Sequence, residues 1–394
     1  MPVRGARTLT WRPRGVQDTE DATDYAAGAM SALANLIPSP TTRGRFVPRP
    51  ASIQLANTAA LGSAGVTVFL ILGATVYGMV SNGSGFDAPF IYNLQTQVAT
   101  VPSGVTGANL PYTQPTNGDW SPPTITTLGA YVIVTHPGFQ GPANGYIGWF
   151  DLTAPSTPVW KSGNFQTEAG AGSPNLLPSP PAAVAVFGGR AYYAVGNAVQ
   201  ASDEFLPLQQ TNAGQVLTFG DSTPITALAG LPLNNTSLYG GIVQSLMVFK
   251  GIENIYQVTG DYTGIPSAWS INTLNISTGT LAPNTVTPTP RGLAFVAPDG
   301  VRLISFTAVV SDPIGDWGDG VKLPFQNAVY PSRMCAAFNM QTLRIALQVA
   351  GAELQSNQEY WYNFGLNAWT GPHSIPTVFI RPYLNTFICS MALP

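Results

Sequence analysis

Residues 183–260 repeat one pattern of apolar strand and glycine turn. AVAVF, at 183–187, runs into Gly188 and Gly189, and AYYAV follows. Gly196 and Asn197 then turn the chain into AVQAS. In the second round GIVQ, from Gly241, leads into SLMVF, and Lys250 and Gly251 then turn the chain into NIYQVT. Apolar, β-branched and aromatic runs at this short spacing predict antiparallel hairpins. The alternation recurs on either side. VTVFLIL turns at Gly73–Ala74 into TVYGMV, followed by FIYNL and QVATV. ITTLGAYVIV, YIGWFDL and PVWKSG form the next set. Beyond residue 260 come WSINTLN, GLAFVAPDGVRLISF with its Asp299–Gly300 turn, and then MCAAFN, TLRIALQV and EYWYNFGLNAWTGP. A last hairpin, TVFIRP with TFICSMAL, is expected to pair with a strand near the N-terminus.

The pattern gives six small sheets of roughly 55 residues each, against roughly 40–45 for a compact propeller blade. The extra length lies in Pro- and Gly-rich loops such as 102–122 and 162–181. Five or seven blades fit the same spacing. A small sheet with two apolar faces is not stable alone. Set radially between neighbours, it buries both faces and leaves only short edges. The expected fold is therefore all-β, a six-bladed β-propeller over residues 51–394. Residues 1–50 lack the pattern and read as an extended N-terminal arm for docking and assembly. Within that arm, 27–37 suggests a short helix or helical turn, stopped by Pro38 and Pro40. Residues 311–332 read mostly as turn. Residues 59–80 are strongly apolar, but Gly62, Gly65, Gly73 and Gly78 break them at strand-like intervals. They read as strand–turn–strand, not as a membrane span.

Composition narrows the function. Only 9% of residues are charged, against about 25% in an average protein. With 16 basic and 19 acidic residues, the net charge is −3, so no basic field grips nucleic acid. Neither a phosphate-binding loop nor a nucleophile elbow occurs. His136 and His373 lack the paired spacing of a zinc site. Cys335 and Cys389 read as small apolar residues, with a disulfide between paired strands unforced. Asp312, Asp316 and Asp319, in SDPIGDWGDG, are candidates for a structural cation site or for turn residues that accept their own amides. Asp203, Glu204, Asp221, Asp261 and Asp299 are the acids available for a glycosidase pair, which needs two carboxyls roughly 5–9 Å apart. Trp120 and Trp317 fall in loops and suit rim contacts with a sugar or a partner protein. The chain reads as a non-enzyme with no catalytic residue, metal or cofactor.

DTEDATDYAAGAMSALANLIPSPTTRGRFVPRPA, at 18–51, resembles the N-terminal signature of the tail nozzle or tail hub proteins of short-tailed bacteriophages. GGRAYYAVGNAVQASD, ITALAGL and GGIVQSLMVFKGIENIYQVTGD are similar to the blade signature of the same family. The resemblance implies a structural virion protein of the tail, assembled in the host cytoplasm into a hexameric ring below the portal. It implies an adaptor and fibre or spike proteins as partners, and transient, non-specific passage of double-stranded DNA. It places Met30, Leu33, Leu36, Arg43 and Arg45 in the assembly arm. It places Gly189, Arg190, Tyr192, Asp203, Gly241, Phe249, Lys250, Tyr256, Thr259, Gly260 and Asp261 in the blades, none of them catalytic. The alternative is a tail-associated receptor- or carbohydrate-binding propeller with a ring of aromatics at one rim.

Overall fold

The computed structural model describes residues 15–16, 29–30, 36–38, 46–48, 55, 65–81, 87–105, 121–139, 145–166, 175–234, 242–260, 269–315, 319–349 and 357–391. Two short pairs come first. β1 (Gly15–Val16) runs parallel to β2 (Ala29–Met30), and β3 (Leu36–Pro38) runs antiparallel to β4 (Phe46–Pro48). The glycine-punctuated pattern then folds as antiparallel meanders. The first blade holds β5 (Val66–Leu72), β6 (Thr75–Ser81), β7 (Asp87–Asn93) and β8 (Val98–Thr100). The second holds β9 (Thr124–Leu128), β10 (Tyr131–Thr135), β11 (Ile147–Asp151) and β12 (Val159–Gly163). The third holds β13 (Ala183–Phe187), β14 (Arg190–Val195), β15 (Ala198–Ala201) and β16 (Val216–Thr218). The fourth holds β17 (Ile225–Asn234), β18 (Ile242–Lys250), β19 (Asn254–Thr259) and β20 (Ser270–Asn275). The fifth has three strands, β21 (Thr287–Thr289), β22 (Gly292–Ala297) and β23 (Gly300–Ile304). After helix α1 (Asp319–Gln326), the sixth holds β24 (Cys335–Asn339), β25 (Thr342–Gln348), β26 (Asn357–Asn363) and β27 (Ala368–His373). The hairpin β28 (Thr377–Tyr383) with β29 (Thr386–Met391) follows.

These six meanders form an all-β, six-bladed propeller. Its packing follows from period-two alternation along each central strand. In β14, Tyr192 and Tyr193 are both fully buried but join different apolar clusters. Tyr192 packs with Leu246, Val248 and Trp269 of the fourth blade. Tyr193 packs with Ile133, Ile147 and Trp149 of the second. Further clusters fill the joints between the fourth and fifth blades and between the fifth and sixth. Aromatic pairs bridge the joints, among them Tyr77–Phe150 at 5.4 Å and Phe249–Phe295 at 5.2 Å between ring centroids. Gly230 of β17 is part of this fit, because a Cβ there would overlap the Phe187 ring.

The structure departs from the sequence reading in four places. First, the closing hairpin does not pair with an N-terminal strand among the described residues. It is a two-stranded sheet wedged between β24 and β5. Phe379, fully buried, meets Phe69 edge to face at 5.4 Å. Asn339 Nδ2 donates to the carbonyls of Leu384 and Thr386 at 3.0 and 2.6 Å. The Thr377 hydroxyl donates to the buried carboxylate of Glu359, which also takes both arms of Arg344 at 2.8 Å and Trp361 Nε1 at 2.6 Å. Second, the described parts of 27–37, β2 and the start of β3, are extended. β1 and β3 pack against β27, the outer strand of the sixth blade. Third, 311–332 contains α1, whose Phe325 fills the joint beside Tyr360 and Trp369. Gly320 and Pro324 concealed that helix in the sequence, since both are poor helix formers. Fourth, the fifth blade lacks a regular outer strand. Instead, the chain after β23 runs back beside it, with Ser311 N donating to Leu303 O and Ile314 N to Val301 O, both at 2.8 Å.

Truncating the hairpin's anchor tests this closure. Phe379→Ala lowers unfolding stability by about 3–5 kcal/mol in denaturant titration, the usual cost of a large aromatic deletion in a packed core. Leu384→Ala, at the exposed tip of the same hairpin, changes it by no more than about 0.5 kcal/mol.

Candidate functional site

The inner strands of the ring line an axial cavity of about 210 Å3 that is open on one side to solvent. Its walls are Thr124–Thr126 of β9, Ala183–Val186 of β13, Leu228 of β17, Pro283, Asn284 and Val286 ahead of β22, and Arg381 of β28. These strands have no ladder partner on the axial side, so side chains stitch them together. Thr124 Oγ1 accepts the Val184 amide at 3.1 Å and shares a hydrogen bond with Thr135 at 2.8 Å. Two donors in the wall are less well supplied. The Asn284 amide nitrogen is buried with no acceptor in reach. The Arg381 guanidinium lies 4.4 Å from the centre of the Phe379 ring, and Nη1 makes a long 3.5 Å contact to Ile380 O. Arg381 is half-buried in the cavity wall. That burial pulls its pKa down to about 10, so it stays charged at neutral pH. The cavity equals the liquid share of about seven waters, too small to pass a nucleic-acid strand.

The sequence-derived candidates do not converge on this cavity. Leu33, Arg43, Arg45, Trp120, Asp316 and Trp317 lie outside the described residues. Met30 and Leu36 fall in β2 and β3. Asp312 is exposed, with an oxygen 3.8 Å from Arg302 Nη1, and Asp319 opens α1. No group of three or more His, Cys, Asp or Glu side chains able to hold a metal occurs among the described residues. Both cysteines are free thiols. Of the acids weighed for glycoside chemistry, Glu204 is exposed, Asp261 lies outside the described residues, and the other three have structural partners. Asp221 binds Lys250, Asp299 binds Arg302, and Asp203 accepts the Thr211 amide.

Among the blade-signature residues, Gly241 and Asp261 lie outside the described residues, and several of the others serve as scaffolding. Arg190 Nη1 donates to Ser202 O at 2.7 Å inside the third blade. Lys250, almost wholly buried, donates to Phe219 O at 2.5 Å and to Asp221 O and Oδ1 at 2.6 Å, tying the third blade to the fourth. The Lys250 hydrogen bond holds the Asp221 carboxyl down at about 2. A Cβ on Gly260 would meet the Trp269 ring.

Sequence reasoning also missed an exposed apolar group. Met340, Leu366 and Leu384 are 65%, 44% and 78% exposed. They occupy the β24–β25, β26–β27 and β28–β29 turns, which antiparallel meandering puts on one face of the ring. Phe364 N donates to Gln341 O at 2.8 Å, and Asn339 bonds the hairpin tip, so the three turns are neighbours. No helix among the described residues is long and apolar enough to cross a membrane.

No protein-family model matches the chain, and no curated protein matches its sequence. Solved structures with a similar course include the computationally designed Ika8 protein, at 9% identity and TM-score 0.46, covering 83% of this chain and 80% of that one. The SapL1 lectin in complex with alpha methyl fucoside aligns at 15% identity and TM-score 0.41, over 80% of this chain and 97% of the lectin. AztD from Citrobacter koseri aligns at 11% identity and TM-score 0.40, over 78% and 70%. At such scores none of them bears on what this chain binds.

The two histidines are far apart in the ring and serve locally. His373 lies 3.2 Å from Thr370 Oγ1 and packs on Trp361. His136 Nδ1 accepts the Gly138 amide at 2.9 Å, and Nε2 donates to Ser121 O at 3.0 Å. A second ring proton would point at the Gly138 N–H. Burial accordingly lowers the His136 pKa from 6.5 to about 4. Between those values the unfolded chain binds a proton that the native state refuses. Stability therefore falls as pH drops through that window, by about 3 kcal/mol at its acid end. In His136→Gln, denaturation curves measured from pH 7 to pH 4 lose that part of the slope.

Proposed function

We propose that this protein is a structural component of a short-tailed phage tail, a nozzle or hub subunit that assembles as a closed homohexameric ring. The observation that carries the reading is the pair of signature segments at 18–51 and 183–261. The position of β1 and β3 outside the blades, against β27, supports a docking role for the first segment. The sparse surface charge supports a wall that lets DNA slide, since tight phosphate contact needs Lys and Arg. In this reading the duplex conduit would run between subunits, around the symmetry axis of a ring that repeats one heterologous contact. Adaptor and fibre or spike proteins would meet the rims, where Met340, Leu366 and Leu384 offer apolar contacts.

A second reading is a tail-associated receptor- or carbohydrate-binding propeller. The axial cavity favours it, because Arg381, Asn284 and two threonines line it with hydrogen-bonding groups.

Native mass spectrometry separates the two. The ring reading expects a particle of about six copies of the 41.5 kDa chain. A monomer or trimer that binds on a glycan array supports the second reading and overturns the first. Met340→Asp with Leu384→Asp should leave the melting temperature within a few degrees of wild type. The same pair should cut subunit or partner association by about tenfold or more, read by sedimentation.

A further inference from the structure

We propose that the axial cavity is a binding site for a small oxyanion, a phosphate or carboxylate group, gripped by Arg381 and Asn284. The inference starts from a comparison with three other cations that the fold holds with a carboxylate, while buried Arg190 donates to the Ser202 carbonyl. Lys250 has Asp221, Arg302 has Asp299, and Arg344 has Glu359. Arg381 has no carboxylate among the described residues, and no acid lines the cavity it faces. A guanidinium carries five N–H donors in a planar fork that matches two oxygens of one anion. The Phe379 ring beneath it fixes the plane of that fork. Asn284, 7% exposed, brings a further donor that no protein atom accepts. The two residues come from separate segments of the chain, yet they line one space of about 210 Å3. Thr124 and Thr126 add hydroxyls to the same wall. An oxyanion fills part of that volume and leaves room for bridging water.

The site does not depend on the ring assembly proposed above, and its test leaves that reading untouched. The full-length protein is titrated calorimetrically with sodium phosphate, and separately with sodium acetate, at constant ionic strength made up with sodium chloride. The expected result is saturable heat with one ion per chain, and a melting temperature that rises with phosphate or acetate but not with chloride. Phosphate saturating alone assigns the site to phosphate groups; acetate saturating alone assigns it to carboxylates. Arg381→Gln, with wild-type circular dichroism, should weaken binding by about tenfold or more. Asn284→Leu should weaken it as well, and it decides the matter if Arg381→Gln fails to fold. Arg333→Gln, outside the cavity, should bind as wild type does. Absence of saturable heat with both anions overturns the proposal. So does unchanged affinity in a folded Arg381→Gln or Asn284→Leu protein.

Discussion

Each blade of this ring has two apolar faces, and neither can be left to water. That constraint fixes the architecture. Consecutive residues on a central strand point to opposite faces, and here consecutive residues such as Tyr192 and Tyr193 are both sequestered. A sheet of that kind has to be sandwiched on both sides. Repeated along the chain, the requirement has only two endings: a stack with two uncovered ends, or a circle. This chain takes the circle. Its loops, turns and polar rims are then positioned by the wedges they connect.

A circle has one joint that sequence neighbours cannot make, and the chain puts a buried polar network there. Glu359, Arg344, Trp361 and Thr377 join the sixth blade to the hairpin through a fully enclosed carboxylate. Apolar packing is tolerant of small rotations, whereas a bidentate ion pair with two further donors accepts one geometry. Beside the Phe69–Phe379 contact, this network gives the joint a defined register as well as adhesion. A buried ion pair adds less to stability than its distances suggest, because desolvation opposes it. Its physical role here is to fix orientation.

Much of the ring was legible because its determinants are local. Gly73, Gly129, Gly188, Gly189, Gly196 and Gly251 all adopt positive φ in turns that the sequence marks plainly. The apolar runs between them became strands with few exceptions. α1 was hidden because Gly320 and Pro324 argue against a helix, and Phe325's packing overrides that preference. The short strands of the arm were hidden by alanines and a leucine run that favour helix until a neighbouring surface intervenes. The axial cavity could not be read at all. Thr124, Val184, Leu228, Asn284 and Arg381 come from five separate stretches, and only closure brings them together. A lone arginine in the apolar run TVFIRP was the one hint, and nothing nearby in sequence supplied its counterpart.

The wedge that completes the circle belongs to the part of the chain translated after all six blades. Phe69 and Phe379 are brought together across almost the whole sequence, a contact of very high order. On the ribosome, the first and sixth blades must therefore wait with one hydrophobic flank uncovered. Nascent chains of this kind are exposed to chaperones and to misassociation with one another. An open flank also has the shape of the missing wedge, so the hairpin of a second nascent chain could fill it. Exchange of that element between copies is thus the characteristic misfolding route for this topology.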